Sequence, residues 1–393
     1  MLAPVPPRER LATLDVLRGF ALCGVMIGNM VLYSGRWTER GPRPHTTLDE
    51  VAEWFLRIVV EGKAQTLLCL LFGFGFAIQL LRAEERGEPV LGVYLRRLGA
   101  LAVLGWLHVT LLWWGDVVWT YAVAGVGLLP FMRASNRARV ACGLALIFVP
   151  YLATFVGDLG TRAMGVFLTP DQFGAATARM ADVIRSPDRS GLAWEHARYA
   201  LIWCTQIYVW YFLWCLGRFL LGYVAGAKHW FDRDGADHLA VFRRLALWGG
   251  IVAIATTGFG ILNGLVLHIR GGGLVVLLAF VTLDQIRLLA TTFAYVGIVV
   301  LLMQRPAWRR VLGVLAPAGR MPLTTYFTQS LVCTFFFYGW GLGWAGHVGV
   351  AGTIGLALAI YTVQVALAHL WLRYYRFGPL EWLWRAVVYL KAP

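Results

Sequence analysis

The sequence predicts an all-α, polytopic integral-membrane bundle of about ten transmembrane helices, closed by a short interfacial helix at its C-terminal end. Three observations predict it. The chain is 59% hydrophobic and 14% charged, outside the range of soluble globular domains. Its mean hydropathy is +0.64, and apolar windows of about eighteen or more residues, long enough to cross a bilayer, recur throughout. Between the windows the basic residues fall in alternate loops, as a chain threading back and forth requires. Almost nothing remains for a soluble domain, so residues 1–393 read as one membrane domain.

The spans are read at 13–33, 63–81, 97–114, 116–132, 139–158, 199–225, 244–267, 285–303, 321–338 and 350–373. The basic, then apolar, start of the chain is laid out like a signal peptide. Its apolar run is too long and no small-x-small site closes it, so it stays the first span. Arg82, Arg86, Arg96 and Arg97 occupy one loop, Arg133, Arg137 and Arg139 the next basic one. Lys228, Arg233, Arg243 and Arg244 follow, then Arg305, Arg309 and Arg310. With a basic N-terminus and a basic tail, this pattern predicts an even number of spans and both termini on the cytoplasmic side of a bacterial inner membrane. The connection 159–198 lies outside, where its amphipathic piece 172–185 suits the membrane surface. The stretch 272–284 is too short to cross and reads as re-entrant or interfacial. GPLEWLWRAVVYLKAP opens with Pro379 in a first-turn position and is rich in Trp and Tyr, which fits an interfacial helix.

The net charge of +14 follows from the same retained arginines and implies no nucleic-acid partner. Cys23, Cys69, Cys142, Cys204, Cys215 and Cys333 all lie in apolar segments without a CxxC pair, which argues against a disulfide framework. The histidines form no HxxxH or HxxE spacing, so no metal site is expected. No internal repeat supports an inverted-repeat transporter.

Ionisable groups inside a membrane are costly and are the first functional candidates. In the first span Asp15 and Arg18, three apart, can pair on one helical face. Asn29 returns to nearly the same azimuth roughly 16 Å further along. His108 lies roughly 16 Å beyond Arg97 and 10 Å before Gly115 along a helix, in neither loop nor interface. A neutral imidazole there suits proton transfer or nucleophilic attack, its tautomer set by a partner on the other nitrogen. Asp116 follows Gly115 and suits the cap of the fourth span; a cap one hairpin away is also placed to orient His108. Thr120 and Tyr121 add hydroxyls. Glu61 and Gln65 share a face at the outer entrance of the second span, near Lys63. The FGFG run lacks a preceding strand and a GK[ST], so its small residues signal close helix packing rather than phosphate binding. Arg320 stands at the cytoplasmic mouth of the ninth span with Gln329 deeper, Asp284 and Arg287 can pair, and His45 lies in an outer loop. Gly222 and Gly226 permit close helix packing and leave a homodimer open.

LDVLRGFALCGVMIGN, LLFGFGFA, the run RRL…HVTLLWWGDVVWTYA, AGRMPLTTYFTQSL and GPLEWLWR, in that order, resemble the YeiB family of bacterial inner-membrane proteins, long a domain of unknown function. The resemblance covers nearly the whole chain. It implies kinship with transmembrane acyltransferases such as heparan-α-glucosaminide N-acetyltransferase, which carry an acyl group from cytoplasmic acyl-CoA to an acceptor across the membrane. Arg18, Gly19 and Asn29 match the start of that enzyme's first span. Its catalytic histidine follows the asparagine by eleven residues; here that position is Arg40 and the nearest histidine is His45. His108, inside the motif that matches the YeiB family, is therefore the expected catalytic histidine.

The sequence thus points to a membrane acyltransferase using acyl-CoA and no metal, with a sugar, lipid or peptide hydroxyl or amine as acceptor. Arg18, with Asp15, Arg320 and Arg97, would meet the CoA phosphates. Asn29 would face the developing oxyanion and Asp116 would hold the His108 tautomer. Glu61, Gln65, Tyr121, Gln329 and His45 would line the path of the acceptor. The other reading is a transporter or permease for a small amphiphile, lined by the same residues.

Overall fold

A computed structural model describes residues 11–37, 45–87, 90–148, 170–203, 209–267 and 273–390. Among them there is no strand, and the helices run in order. The first half comprises α1 (Ala12–Tyr33), α2 (Thr47–Phe55), α3 (Lys63–Glu85), α4 (Val90–Leu111), α5 (Val118–Val126), α6 (136–148), α7 (Pro170–Arg185) and α8 (Leu192–Trp203). The second comprises α9 (Val209–Ala227), α10 (Leu239–Leu262), α11 (Gly273–Met303), α12 (Pro306–Gly313), α13 (Ala316–Arg320), α14 (Pro322–Phe337), α15 (Val350–Tyr374) and α16 (Pro379–Tyr389). Five stretches are long and apolar enough to cross a membrane: Ala12–Tyr33, Thr47–Glu85, Asp232–Leu262, Leu278–Met303 and Val350–Tyr374.

The central helix is α1, packed by α3, α13, α14 and α15. Its apolar residues recur all around the helix, as a fully enclosed helix requires. Glycines set the closest approaches. A Cβ on Gly319 would stand 1.8 Å from the Asp15 carbonyl oxygen, and one on Gly19 would stand 2.3 Å from that of Leu315. Where α3 crosses α9, Cβ atoms on Gly73 and Gly222 would stand 1.8 Å from the Phe219 carbonyl oxygen and 1.9 Å from the Leu70 carbonyl oxygen. Gly222 and Gly226 are therefore occupied by α3 inside this chain and offer no surface to a second copy.

Helix ends are closed by side chains from other elements. Thr46 and Asp49 form a capping box on α2, and Asp49 Oδ1 also accepts the Ala351 N–H at the start of α15 (2.9 Å). Asp234 accepts the Thr13 N–H of α1 at 2.9 Å and pairs with Arg309 of α12 at 2.8 Å. That joins the first helix to two of the basic loops at one end of the bundle. At the opposite end Gly346 N–H reaches the Ser34 carbonyl and Gly339 N–H that of Ile184.

Glu381 of α16 accepts the Leu323 and Thr324 N–H groups and the Thr324 hydroxyl, at 2.6, 3.1 and 2.6 Å, and so caps α14. Burial raises its carboxyl above the ordinary 4.5, against the lowering pull of these bonds. A raised folded value means the folded state binds the proton more tightly. This contribution is full below the unfolded value and is lost as pH rises through the folded one. Glu381→Gln should flatten that pH dependence of the melting temperature, whereas Glu381→Ala should cost about 1–2 kcal/mol by stripping the cap; a thermal-shift series across pH measures both.

Several expected segments take a different form. The 116–132 span is not one long helix: α5 has nine residues, about 14 Å, and 112–117 is non-helical. The stretch 272–284 is no re-entrant loop, since α11 runs unbroken for 31 residues. In the 199–225 segment the described residues 199–203 (α8) and 209–225 (α9) are helical as expected; 204–208 lie outside the described residues, as do 149–158 of the 139–158 span. The 172–185 piece does not lie flat on lipid. As α7 it buries Ala176, Met180, Ala181 and Ile184, with Met180 and Ile184 in the core around Tyr33.

Candidate functional site

The hairpin from α4 to α5 builds the most distinctive polar site. Leu112 and Trp113 N–H groups both bond the His108 carbonyl, at 3.0 and 2.9 Å, which ends α4 there. The chain then runs non-helically through Trp113, Trp114 and Asp116, exposed by 0%, 3% and 0%. Irregular backbone inside a membrane protein survives only where protein encloses it or a cavity meets it. Two glycines let it lie flush. A Cβ on Gly115 would strike the Trp113 ring at 2.5 Å, and one on Gly105 would meet Trp119 N at 2.3 Å.

This return path sets Asp116 beside His108. One carboxylate oxygen, Oδ2, accepts the Trp119 N–H at 2.8 Å and caps α5; the other, Oδ1, lies 3.0 Å from His108 Nδ1. Both side chains are fully buried. The approach is bent away from a straight hydrogen bond, and among the described residues His108 Nε2 has no hydrogen-bond partner. The Phe327 and Tyr326 rings of α14 cover the imidazole at 4.5 and 5.0 Å. Asp116 thus caps α5 and lies beside His108, as the spacing allowed. With Nδ1 turned to a carboxylate, Nε2 is the ring atom left to take a proton or attack a carbon.

More polar groups line the same interior. Tyr33 and Ser330 hydroxyls are 2.6 Å apart, and the Tyr33 ring packs on Trp113 at 4.2 Å. Buried His196 has Nε2 3.3 Å from the Tyr338 hydroxyl. The hydroxyl of fully buried Thr120 has no hydrogen-bond partner. Gln329 is held by the Leu22 carbonyl of α1 at 3.4 Å.

The remaining candidates separate into distinct places. Asn29 is half-buried on α1 and, among the described residues, makes no hydrogen bond to His108 or Asp116. Asp15 and Arg18 pair at 2.9 Å, and Asp284 and Arg287 at 2.6 Å. Arg97 lies under the Trp384 ring of α16 at 5.0 Å, whereas Arg320 is exposed at the end of α13. Gln65 donates to the Tyr211 hydroxyl, and Tyr121 donates to the Gln65 carbonyl at 3.3 Å, forming a cluster between α3, α5 and α9. Glu61 is exposed in the turn before α3. His45 pairs with Glu50 at 3.4 Å, 46% exposed, next to α2 and apart from His108. An open cleft of about 240 Å³, lined by Trp54, Arg57, Phe259 and Phe280 among others, also lies elsewhere, between α2, α10 and α11. His108 is sealed in the structure as it stands.

One buried cation escaped the sequence reading. Arg218, at the midpoint of α9, is fully buried and donates to Thr66 Oγ1, the Trp214 carbonyl and Gln285 Oε1 at 3.1, 3.2 and 2.8 Å. It also stacks 3.1 Å from the Trp214 ring centroid. Its signal was plain: a lone arginine inside VWYFLWCLGRFLLGYVAGA. His196, Trp384 and Arg385 are the other residues that gain weight only from tertiary packing.

Long apolar helices around a buried polar dyad define a helical integral-membrane protein. Within that class the chain belongs to the YeiB family. It is 30% identical to the uncharacterized protein YxaH of Bacillus subtilis (strain 168), covering 99% of this chain and 97% of that one. It is 29% identical to an uncharacterized 39.9 kDa protein of Bacillus acidopullulyticus, over 98% of this chain and 96% of that one. YeiB of Escherichia coli (strain K12), also uncharacterized, is 26% identical over 96% of each chain. Residues 225–391 match the family described as protein of unknown function (DUF418). No solved structure matches the chain.

Proposed function

We propose that this protein is a membrane acyltransferase that takes an acyl group from cytoplasmic acyl-CoA and gives it to a hydroxyl or amine on an extracytoplasmic or membrane-embedded acceptor. The observation that carries the reading is the His108–Asp116 pair: fully buried, 3.0 Å apart, with Nε2 unpartnered beside a break in the helix. Such a pair is the base-and-orienter unit of acyl transfer.

The chemistry follows from these atoms. Asp116 favours the tautomer with the proton on Nδ1 and stabilises the imidazolium once it forms. Nε2 removes the proton from the acceptor oxygen or nitrogen as that atom bonds to the acyl carbon. The carbon–sulfur bond breaks, and the proton passes from Nε2 to the departing thiolate. The fit of the chain to acyl-CoA rests on Arg18 and Arg97 at the basic end of α1 and α4. With the basic loops cytoplasmic, as the positive-inside bias favours, both termini face the donor and the membrane is the inner one. Because Tyr326 and Phe327 cover His108, substrate entry requires α14 to shift from α4.

The test is binding first. Purified protein should be stabilised thermally by CoA and should consume acyl-CoA in the presence of acceptor lipid or glycan extracts. Neither CoA binding nor stabilisation would sink the reading. The non-helical stretch 112–117 also suits a transporter, whose substrate sites form at broken helices. Uptake of a small amphiphile by proteoliposomes containing no acyl donor would favour that alternative.

A further inference from the structure

We infer that the C-terminal helix α16 completes an anion site in which Arg385 joins Arg97 to bind a ligand carrying two or more phosphate groups. That the ligand is the nucleotide part of the acyl donor rests on the acyl-transfer reading; the phosphate site does not.

The helix is firmly docked. Arg96 Nε bonds the Val388 carbonyl at 3.0 Å, Trp384 Nε1 reaches the Arg97 carbonyl at 3.4 Å, and Glu381 is held by the start of α14. Docking sets Trp384 against two cations. The Arg97 guanidinium is 5.0 Å from its ring and the Arg385 guanidinium 6.0 Å, with Arg385 also 4.5 Å from Phe377. Arg376 lies 5.3 Å from the same Phe377 ring.

Charge matching in this junction is incomplete. Asp15 is taken by Arg18, and both Glu381 oxygens face the α14 terminus. Among the described residues neither Arg97 nor Arg385 has a carboxylate within ion-pair distance, and the Nε of each is buried with no hydrogen-bond acceptor. Buried donors on cations are rarely left unmatched, because the desolvation cost is then uncompensated. Aromatic faces hold the guanidiniums in place without consuming their N–H groups. Two guanidiniums held beside one indole match the bidentate oxygens of phosphate better than a single carboxylate. The shared chemistry is phosphate, whether on a soluble nucleotide or on a lipid headgroup.

Titration of the full-length protein in neutral detergent with CoA and with adenosine 3′,5′-bisphosphate tests the site. Wild type should bind both, more weakly as salt rises. Arg385→Gln should weaken both by about tenfold, as for one lost charge-assisted bond. Arg385→Lys should fall between them, having charge without the fork. Arg244→Gln, at an exposed position of α10, should change nothing. Should the Arg385 variants fail to fold, phenylglyoxal labelling of wild type read by mass spectrometry replaces them, with CoA expected to protect Arg385 and Arg97. Equal affinity of wild type and Arg385→Gln, or no protection, overturns the inference. Binding of phosphatidylglycerol in nanodiscs with no response to either nucleotide overturns the soluble-nucleotide form. CoA binding that ignores Arg385 sinks this site and leaves acyl transfer standing. Arg385-dependent binding without turnover does the reverse.

Discussion

His108→Ala should abolish acyl-CoA turnover while the protein still folds and is still stabilised by CoA. General-base participation is worth about 10²–10⁴ in rate, so the loss should reach that range. Asp116→Asn should cost up to about 10⁴ by releasing the tautomer, as in other base–carboxylate pairs. Because Asp116 acts through the imidazole, its replacement should lower kcat while leaving stabilisation by CoA intact. A role confined to capping α5 would lower the melting temperature and leave kcat of the folded enzyme unchanged. Wild-type turnover by His108→Ala would remove the dyad from the mechanism.

The largest structural effect is expected at the crossing of α3 and α9. Gly73→Val or Gly222→Val would drive a side chain into the opposing backbone, where even a Cβ has only 1.8 or 1.9 Å. Backbone cannot yield as a flexible side chain does, so the cost should exceed the roughly 1–3 kcal/mol typical of overpacking. Both variants should lose the monodisperse peak in size-exclusion chromatography. Gly75, two residues along the same FGFG run, provides the control. A Cβ there meets nothing within 4 Å, and Gly75→Ala should be neutral or stabilising by about 0.5–1 kcal/mol through helix propensity. Equal tolerance at Gly73 and Gly75 would contradict the crossing.

That motif shows how far the sequence could be read. FGFG announced close packing, but which glycine touches a neighbour depends on the azimuth of α9, which no local pattern specifies. Pairs within one helix, Asp15 with Arg18 and Asp284 with Arg287, were legible because three residues along a helix share a face. Asp116 beside His108 was legible as an opportunity, since a hairpin must fold antiparallel. Its meeting depended on a non-helical stretch that apolar composition disguises as continuous helix. The same continuity hid the shortness of α5, and a shortage of apolar residues alone made 272–284 look too brief. Asn29 shares an azimuth with Arg18, yet the imidazole comes from another helix whose rotation sequence does not reveal. Arg218 required no structure at all. A solitary cation amid nineteen helical residues was there to be noticed, and attention to histidines passed it over.

Asp49 closes two helix ends at once, accepting N–H groups from the α2 capping box and from Ala351 of α15. The rim of the bundle at that end therefore has a rivet rather than a seam: α2 cannot swing outward unless α15 travels with it or the carboxylate lets go. Any opening that admits a bulky acceptor from this side must release that rivet or the bond from Gly339 N–H to the Ile184 carbonyl that ties α7 to the end of α14.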